Sequence, residues 1–220
     1  MNKILSLIMI GALVIAIIVG VIFRQTYTNV TAEPNVLDNF SVALWDFDMV
    51  SPDFLQLIGE NLSSSNLIIR AKSDGEMKYS FKNNKQYIEV IEVYKGDELN
   101  AGDQIAVTSH SWLFFFDEMR ANVGFVNVMQ PGHEYLIFLD QQLETLETEK
   151  DTIYLLQESI ISPIFNYEDQ GNDKIISIDD PYDRYVPYEE VKDNEFFVSS
   201  EEALEALMEL KHELLEQYSK

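Results

Sequence analysis

Between Gln86 and Leu139, short β-type runs alternate with glycine turns, and that rhythm leaves little choice of architecture. Tyr87-Ile88-Glu89-Val90-Ile91-Glu92-Val93-Tyr94 is rich in β-branched and aromatic residues, which fit a pleated surface. Its apolar residues fall on both parities, so it reads as a central strand of a curved sheet, covered on both faces. Lys95-Gly96-Asp97 turns the chain, and Ala101-Gly102-Asp103 turns it again before Gln104-Ile105-Ala106-Val107-Thr108. Glycine supplies the positive φ that such tight turns need. Pro131-Gly132-His133-Glu134 leads into Tyr135–Leu139, a short continuous apolar run of the kind buried in a barrel. The pattern specifies a small antiparallel β domain and contains no catalytic constellation.

The flanks extend this core. Phe40–Val50 alternates loosely, as a first strand or a segment packed on the domain. Ser51 and Pro52 sit as N-cap and first residue of a helix whose stripe is Phe54, Leu55, Leu57, Ile58 and Leu62. Leu67–Ala71 reads as a strand, Ser73–Glu76 as a turn, Met77–Phe81 as a short strand and Lys82–Lys85 as a hairpin tip. Thr152–Gln157 and Lys174–Ile178 are further strands, and Asp179–Tyr188 is an extended connection. At the C-terminus, Ser199 and Glu202 form a capping box ahead of an amphipathic helix of about five turns. Leu204, Leu207, Met208 and Leu214 share its apolar stripe. The expected organisation is an anchor over residues 1–24 and a stalk leading into the domain over 25–50. An OB-like barrel domain with an acidic C-terminal extension follows over 51–198, and the amphipathic helix occupies 199–220.

Ile4–Phe23 is an unbroken run of apolar and small residues with Ser6 the only polar one. About 20 residues rising about 1.5 Å each span about 30 Å, the thickness of a bilayer core. A cleaved signal has a shorter apolar core and a small-x-small site close behind it. Here the nearest such site, Val30-Thr31-Ala32, lies well past the run, which favours an uncleaved anchor over a cleaved signal. Lys3 before the run and Arg24 after it give a weak orientation signal. A short basic start followed by a single span favours an extracytoplasmic body, a single-pass protein of the cell membrane whose first partner is the lipid bilayer at Ile4–Phe23.

The 220-residue chain carries a net charge of -23, with 38 acids against 15 Lys and Arg. Most of the negative charge lies beyond Asp140. Such a balance argues against nucleic acid as a partner, because phosphate backbones require a basic surface. The chain has no cysteine. Disulfides, thiolate metal sites and cysteine nucleophiles are therefore excluded.

The order of a helix, then Ser-Asn-Leu-Ile-Ile-Arg-Ala-Lys (65–72), Glu-Val-Ile-Glu-Val-Tyr-Lys-Gly-Asp (89–97), Ala-Gly-Asp-Gln-Ile-Ala-Val (101–107) and Met-Gln-Pro-Gly-His-Glu-Tyr-Leu-Ile-Phe-Leu (129–139) resembles the netrin/TIMP-like group of OB-fold domains. More narrowly, it resembles the cysteine-free form in membrane-anchored proteins of Gram-positive bacteria. The resemblance covers Pro52 to Leu139 and implies a mainly β fold with flanking helices, an OB-like antiparallel barrel. It carries no chemistry. Inhibitory members chelate a target's zinc through an N-terminal cysteine, which this chain lacks, so no functional residue transfers.

Residues of chemical interest are few. The chain has three histidines: His110, His133 and His212, with none at metal-ligating spacing. His110 beside Ser109 and Ser111 lacks any visible orienting acid. Asp169–Asp173 and Asp179-Asp180 do not follow the spacing of a calcium loop. The expectation is therefore no catalytic, cofactor or metal site, and a non-enzymatic module. Trp112, Phe114 and Phe116 share one parity of a strand and are the candidate partner contact, the partner being a protein, peptide or glycan at the cell surface. The alternatives are an extracytoplasmic hydrolase using carboxylates of the acidic C-terminal region, and an accessory subunit of a membrane complex. A concave site with converging acids would mark the hydrolase.

Overall fold

The computed structural model describes residues 2–26, 36–45, 52–80, 83–144, 150–168, 171, 173–178 and 183–219. The chain divides into two compact units, Met1–Val36 and Leu37–Lys220. The first holds helix α1, Asn2–Thr26, which covers the expected apolar run. Its described side chains, Met9 to Ile22, are all exposed. They cover about 21 Å at 1.5 Å per residue, and among the described residues no helix is long and apolar enough to cross a membrane.

The second unit contains, in order, β1 (Ser41–Ala43), α2 (Pro52–Ser63), β2 (Leu67–Ser80), β3 (Asn83–Lys95), β4 (Gln104–Thr108), β5 (Leu113–Phe115), β6 (Arg120–Asn122), β7 (Glu134–Gln142), β8 (Ile153–Leu156), β9 (Ile164–Asn166), β10 (Tyr185–Pro187), α3 (Tyr188–Val191) and α4 (Glu201–Gln217). Strands pair in the order β2-β3-β4-β8-β7, and β7 returns to β2, so the sheet closes on itself as a five-strand barrel. This is an arrangement compatible with an OB-like fold. All its pairings are antiparallel except β4 with β8. The purely antiparallel barrel expected from the sequence is corrected on that point, for a geometric reason. A closed ring with an odd number of strands cannot alternate direction all the way round.

Ser73–Glu76, expected as a turn, lies inside the continuous strand β2. The register jumps from Ser73↔Ile88 to Met77↔Gln86, so β2 carries a bulge here. The Ser73 hydroxyl accepts from the Gly75 amide at 3.0 Å. Gly75 has φ 81, and a Cβ there would stand 2.6 Å from Pro131. Glycine lets the bulge pack against the turn before β7, and the bulge bends the long hairpin as barrel closure demands.

The apolar runs are explained by burial on two sides. Ile68, Leu136 and Phe138 join a core cluster with Leu207, Leu210 and Leu214 of α4 and Ile58 and Leu62 of α2. Leu67, Ile69, Ile137 and Leu139, of the other parity, are also buried. Alternate residues face opposite sides of a sheet, so β2 and β7 are covered by the barrel interior on one face and by the helices on the other. On α4, Leu207 and Leu214 are buried, and Leu204 and Met208 pack against the cluster half-buried.

The α4 cap sits one residue later than the capping box implied. Ser200 is the N-cap, and its side chain accepts from the Ala203 amide. Ser199 instead donates its hydroxyl to the Trp45 carbonyl at 3.0 Å. Trp45 also donates its amide to Phe197, so tertiary pairing takes Ser199 and leaves the cap to its neighbour.

A second sheet has the order β10-β1-β6-β5. β9 pairs with β7 outside the barrel ring, and the strands beyond β8 differ from the sequence expectations. Lys174–Ile178 is not a strand, whereas Ile164–Asn166 and Tyr185–Pro187 are. The Asn194 side chain binds both the amide and the carbonyl of Lys174, at 3.0 and 2.7 Å. A side-chain amide thus occupies the backbone groups that a ladder would need.

Candidate functional site

On the outer face of β2, β3 and β4 lies a groove of about 500 Å³, lined by Lys72, Tyr87, Glu89, Gln104, Lys150 and Asp151 among others. Strand alternation places it. Ile88 and Val90 are buried, while Tyr87 and Glu89 turn outward. Lys72 pairs with Glu89, Glu89 with Gln104, and Tyr87 with Ala106 across the strands. Ala106 is small and fully buried, which leaves the depression at its floor.

One wall is a polar network. The Tyr87 hydroxyl donates to Asp151 Oδ2 at 2.5 Å, and Lys85 Nζ donates to the same oxygen at 2.6 Å. Lys78 Nζ lies 4.5 Å from the centre of the Tyr87 ring and Lys85 Nζ 5.7 Å, within the range of cation–π attraction. The Lys85 and Tyr87 hydrogen bonds hold the Asp151 carboxyl below its usual range. Burial and the bond to Asp151 push the Tyr87 phenol up. Together they staple the segment before β8 to β3.

A second groove, of about 470 Å³, runs between α2 and α4, with Leu210 and Leu214 in its lining and Glu60, Glu209 and Glu213 also along it. This is a concave site with acids, the mark set for a hydrolase. All three glutamates are exposed, whereas an acid–base pair needs carboxyls in different surroundings.

The expected partner contact divides. Trp112 is 3% exposed, and its indole N–H donates to Ser162 Oγ at 3.3 Å. It is a core residue and offers no contact surface. Phe114 packs on Phe40 and Tyr79, and Phe116 on Phe40; both are half-buried. The outward side chains of this stretch are the other parity, Leu113 at 46% and Phe115 at 45% exposure.

Among the described residues no group of three or more His, Asp or Glu is placed to hold a metal ion. His110 and His212 are exposed. His133 Nδ1 lies 3.1 Å from Glu168. The Ser109 and Ser111 hydroxyls bond each other at 2.8 Å. Asp173 accepts from the Glu195 and Phe196 amides. Asp169, Asp179 and Asp180 lie outside the described residues. The groove residues themselves went unrecognised in sequence. The only sign was the outward parity of Tyr87 and Glu89 beside small Ala106.

Compared with models of known protein families and with curated proteins, the chain matches none.

Proposed function

We propose that the protein is a membrane-anchored, non-enzymatic binding module, with a netrin/TIMP-like variant of the OB-like barrel displayed outside the cytoplasm. The observation that carries the reading is the groove over β2, β3 and β4, walled by the segment before β8. OB-like barrels bind extended ligands on this face, formed by the second and third barrel strands and the loop between the fourth and fifth. Here those are β3, β4 and the connection from β7 to β8. The anchor reading is supported by the apolar run Ile4–Phe23 and by the exposure of every described α1 side chain. A helix apolar on all sides has no stable place in water.

The test is retention of cell-envelope fragments by the full-length protein in detergent, compared with Gln104→Trp. Gln104 is exposed at the groove, so a bulky side chain there fills the site at little cost to the fold. Retention by the parent and its loss in the variant is the expected result. Equal retention by both would remove the groove from the function.

A further inference from the structure

We infer that the groove between α2 and α4 is a docking site for a partner protein, and that its occupant is a basic amphipathic helix, apolar on one face and bearing Lys or Arg on the other. This surface is separate from the groove over β2, β3 and β4.

Charge is the first reason. Glu60, Glu209 and Glu213 line the groove, and its described lining holds no Lys or Arg. Glu209 and Glu213 are exposed and join no ion pair among the described residues. With Glu205 they stand four residues apart along α4, and like charges at that spacing weaken a helix. The helix ends add to the field. Ser63 ends α2 and Gln217 ends α4, and both line the groove. A helix C-terminus carries partial negative charge and favours cations. Neither helix has a base in its last turn. Lys95 serves the α2 end, donating to the Ser63 carbonyl at 3.1 Å. The α4 end, with Glu213 and Glu216 beside it, is left acidic.

Gly59 is the second reason, and it is independent of charge. It lies inside α2 at the groove, where glycine weakens a helix relative to alanine. The packing of α2 on α4 does not require it, since an added Cβ would meet Leu210 Cδ1 at 3.4 Å, an ordinary contact. What the missing side chain leaves is room for another chain to approach.

Shape selects a helix. Two helices side by side form a trough into which a third can pack. From Glu209 to Gln217 the α4 wall runs about 12 Å at 1.5 Å per residue, about two turns of an incoming helix. Leu55, Leu210 and Leu214 in the lining meet its apolar face, and the glutamates meet its cations. The partner is another protein. Segments 27–35, 46–51 and 145–149 of this chain contain no Lys or Arg, and a second copy would bring a net charge of -23 to an acidic rim.

The test uses the full-length protein in nanodiscs of zwitterionic lipid. The chain has no cysteine, so His212→Cys, at an exposed position next to Glu213 on α4, takes a single fluorophore. Three quencher-labelled peptides are titrated: a Leu/Lys peptide with its leucines at helical spacing, its scrambled form, and a Leu/Glu counterpart. The Leu/Lys peptide should bind the parent more tightly than its scrambled form and weaken as salt rises. Glu209→Lys with Glu213→Lys should cost it about tenfold or more in affinity and let the Leu/Glu peptide bind instead. Gly59→Leu, which fills the floor, should abolish Leu/Lys binding, and Gln104→Trp at the other groove should leave it unchanged. A melting curve for each variant separates loss of binding from loss of fold. No Leu/Lys binding to the parent, or binding that ignores both the charge reversal and Gly59→Leu, would overturn the site. Equal binding of the scrambled peptide would overturn the helix. A dimer seen by light scattering in detergent, and dissociated by Gly59→Leu, would make the occupant a second copy and overturn the partner protein.

Discussion

Asp151 shows how much one side chain can organise. Its carboxylate accepts from Lys85 and from Tyr87, residues 66 and 64 positions away in the chain. Because its folded pKa is depressed, the interaction contributes stability above the unfolded value of about 4. The contribution is lost as pH falls through the lower, folded value. Asp151→Asn should therefore reduce stability near pH 7 by about 1 kcal/mol or less, given partial exposure. The gap from the parent should be narrower at about pH 3 than at about pH 7, because the stabilisation is lost progressively as pH falls below the unfolded value. Urea unfolding at both pH values measures this, and a gap that stays constant with pH would rule the ionic account out. No local pattern announces such a partner, because the sequence separation is set by barrel topology. Trp112 shows the same limit from the other side. Alternation across Trp112–Phe116 was legible, but which parity faces inward is decided by Phe40, Tyr79 and Ser162, none of them near in sequence.

At the scale of elements, strong periodicity carried far. α2, β4, β7, β8 and α4 were legible because each has enough residues to show a period. β5, β6, β9 and β10 have three residues each. So short a strand exists only through its neighbours. The register of α4 on the barrel was also hidden, and it is fixed partly by a buried ion pair. Lys211 is 1% exposed and donates to Glu195 Oε2 at 2.5 Å. Glu195 also accepts from the Asn166 amide at 2.9 Å. Burial pushes the Glu195 carboxyl up, with Lys211 pulling against it. Removing one partner strands a buried charge. Glu195→Gln should cost about 3–5 kcal/mol, and adding Lys211→Met should recover most of that loss. A double-mutant cycle by chemical denaturation reads the coupling directly. A single variant within about 1 kcal/mol of the parent would mean that the pair is not sealed from water.

The whole molecule is built from contacts far apart in sequence. β4 meets β8, β1 meets β10, and Trp45 bridges Val198. The barrel closes within 67–156, and the second sheet and the Trp45 bridge wait for segments beyond it; topologies so rich in non-local pairings fold slowly. The large negative charge keeps the unclosed chain soluble meanwhile. On the proposed topology, protease added to intact cells stripped of any wall should digest the body of 37–220 while the α1 segment stays with the membrane. A body that survives this treatment and is cut only after lysis would reverse the orientation.

The chain enters the second unit by packing Leu37 and Phe40 into its core, and β1 follows at once. That strand is interior to its sheet, hydrogen-bonded to β10 on one side and to β6 on the other. The bonds to β10 are antiparallel and run roughly perpendicular to the strand, so tension directed along β1 would load them in shear. Just beyond, Trp45 is clasped by Phe197 and Ser199, which ties the start of the domain to the segment that leads into α4. The body is thus fastened like a hook with its barb turned inward. On the proposed function, drag on a bound ligand enters at the barrel and leaves through β1 and the Trp45 clasp, so the load crosses both sheets.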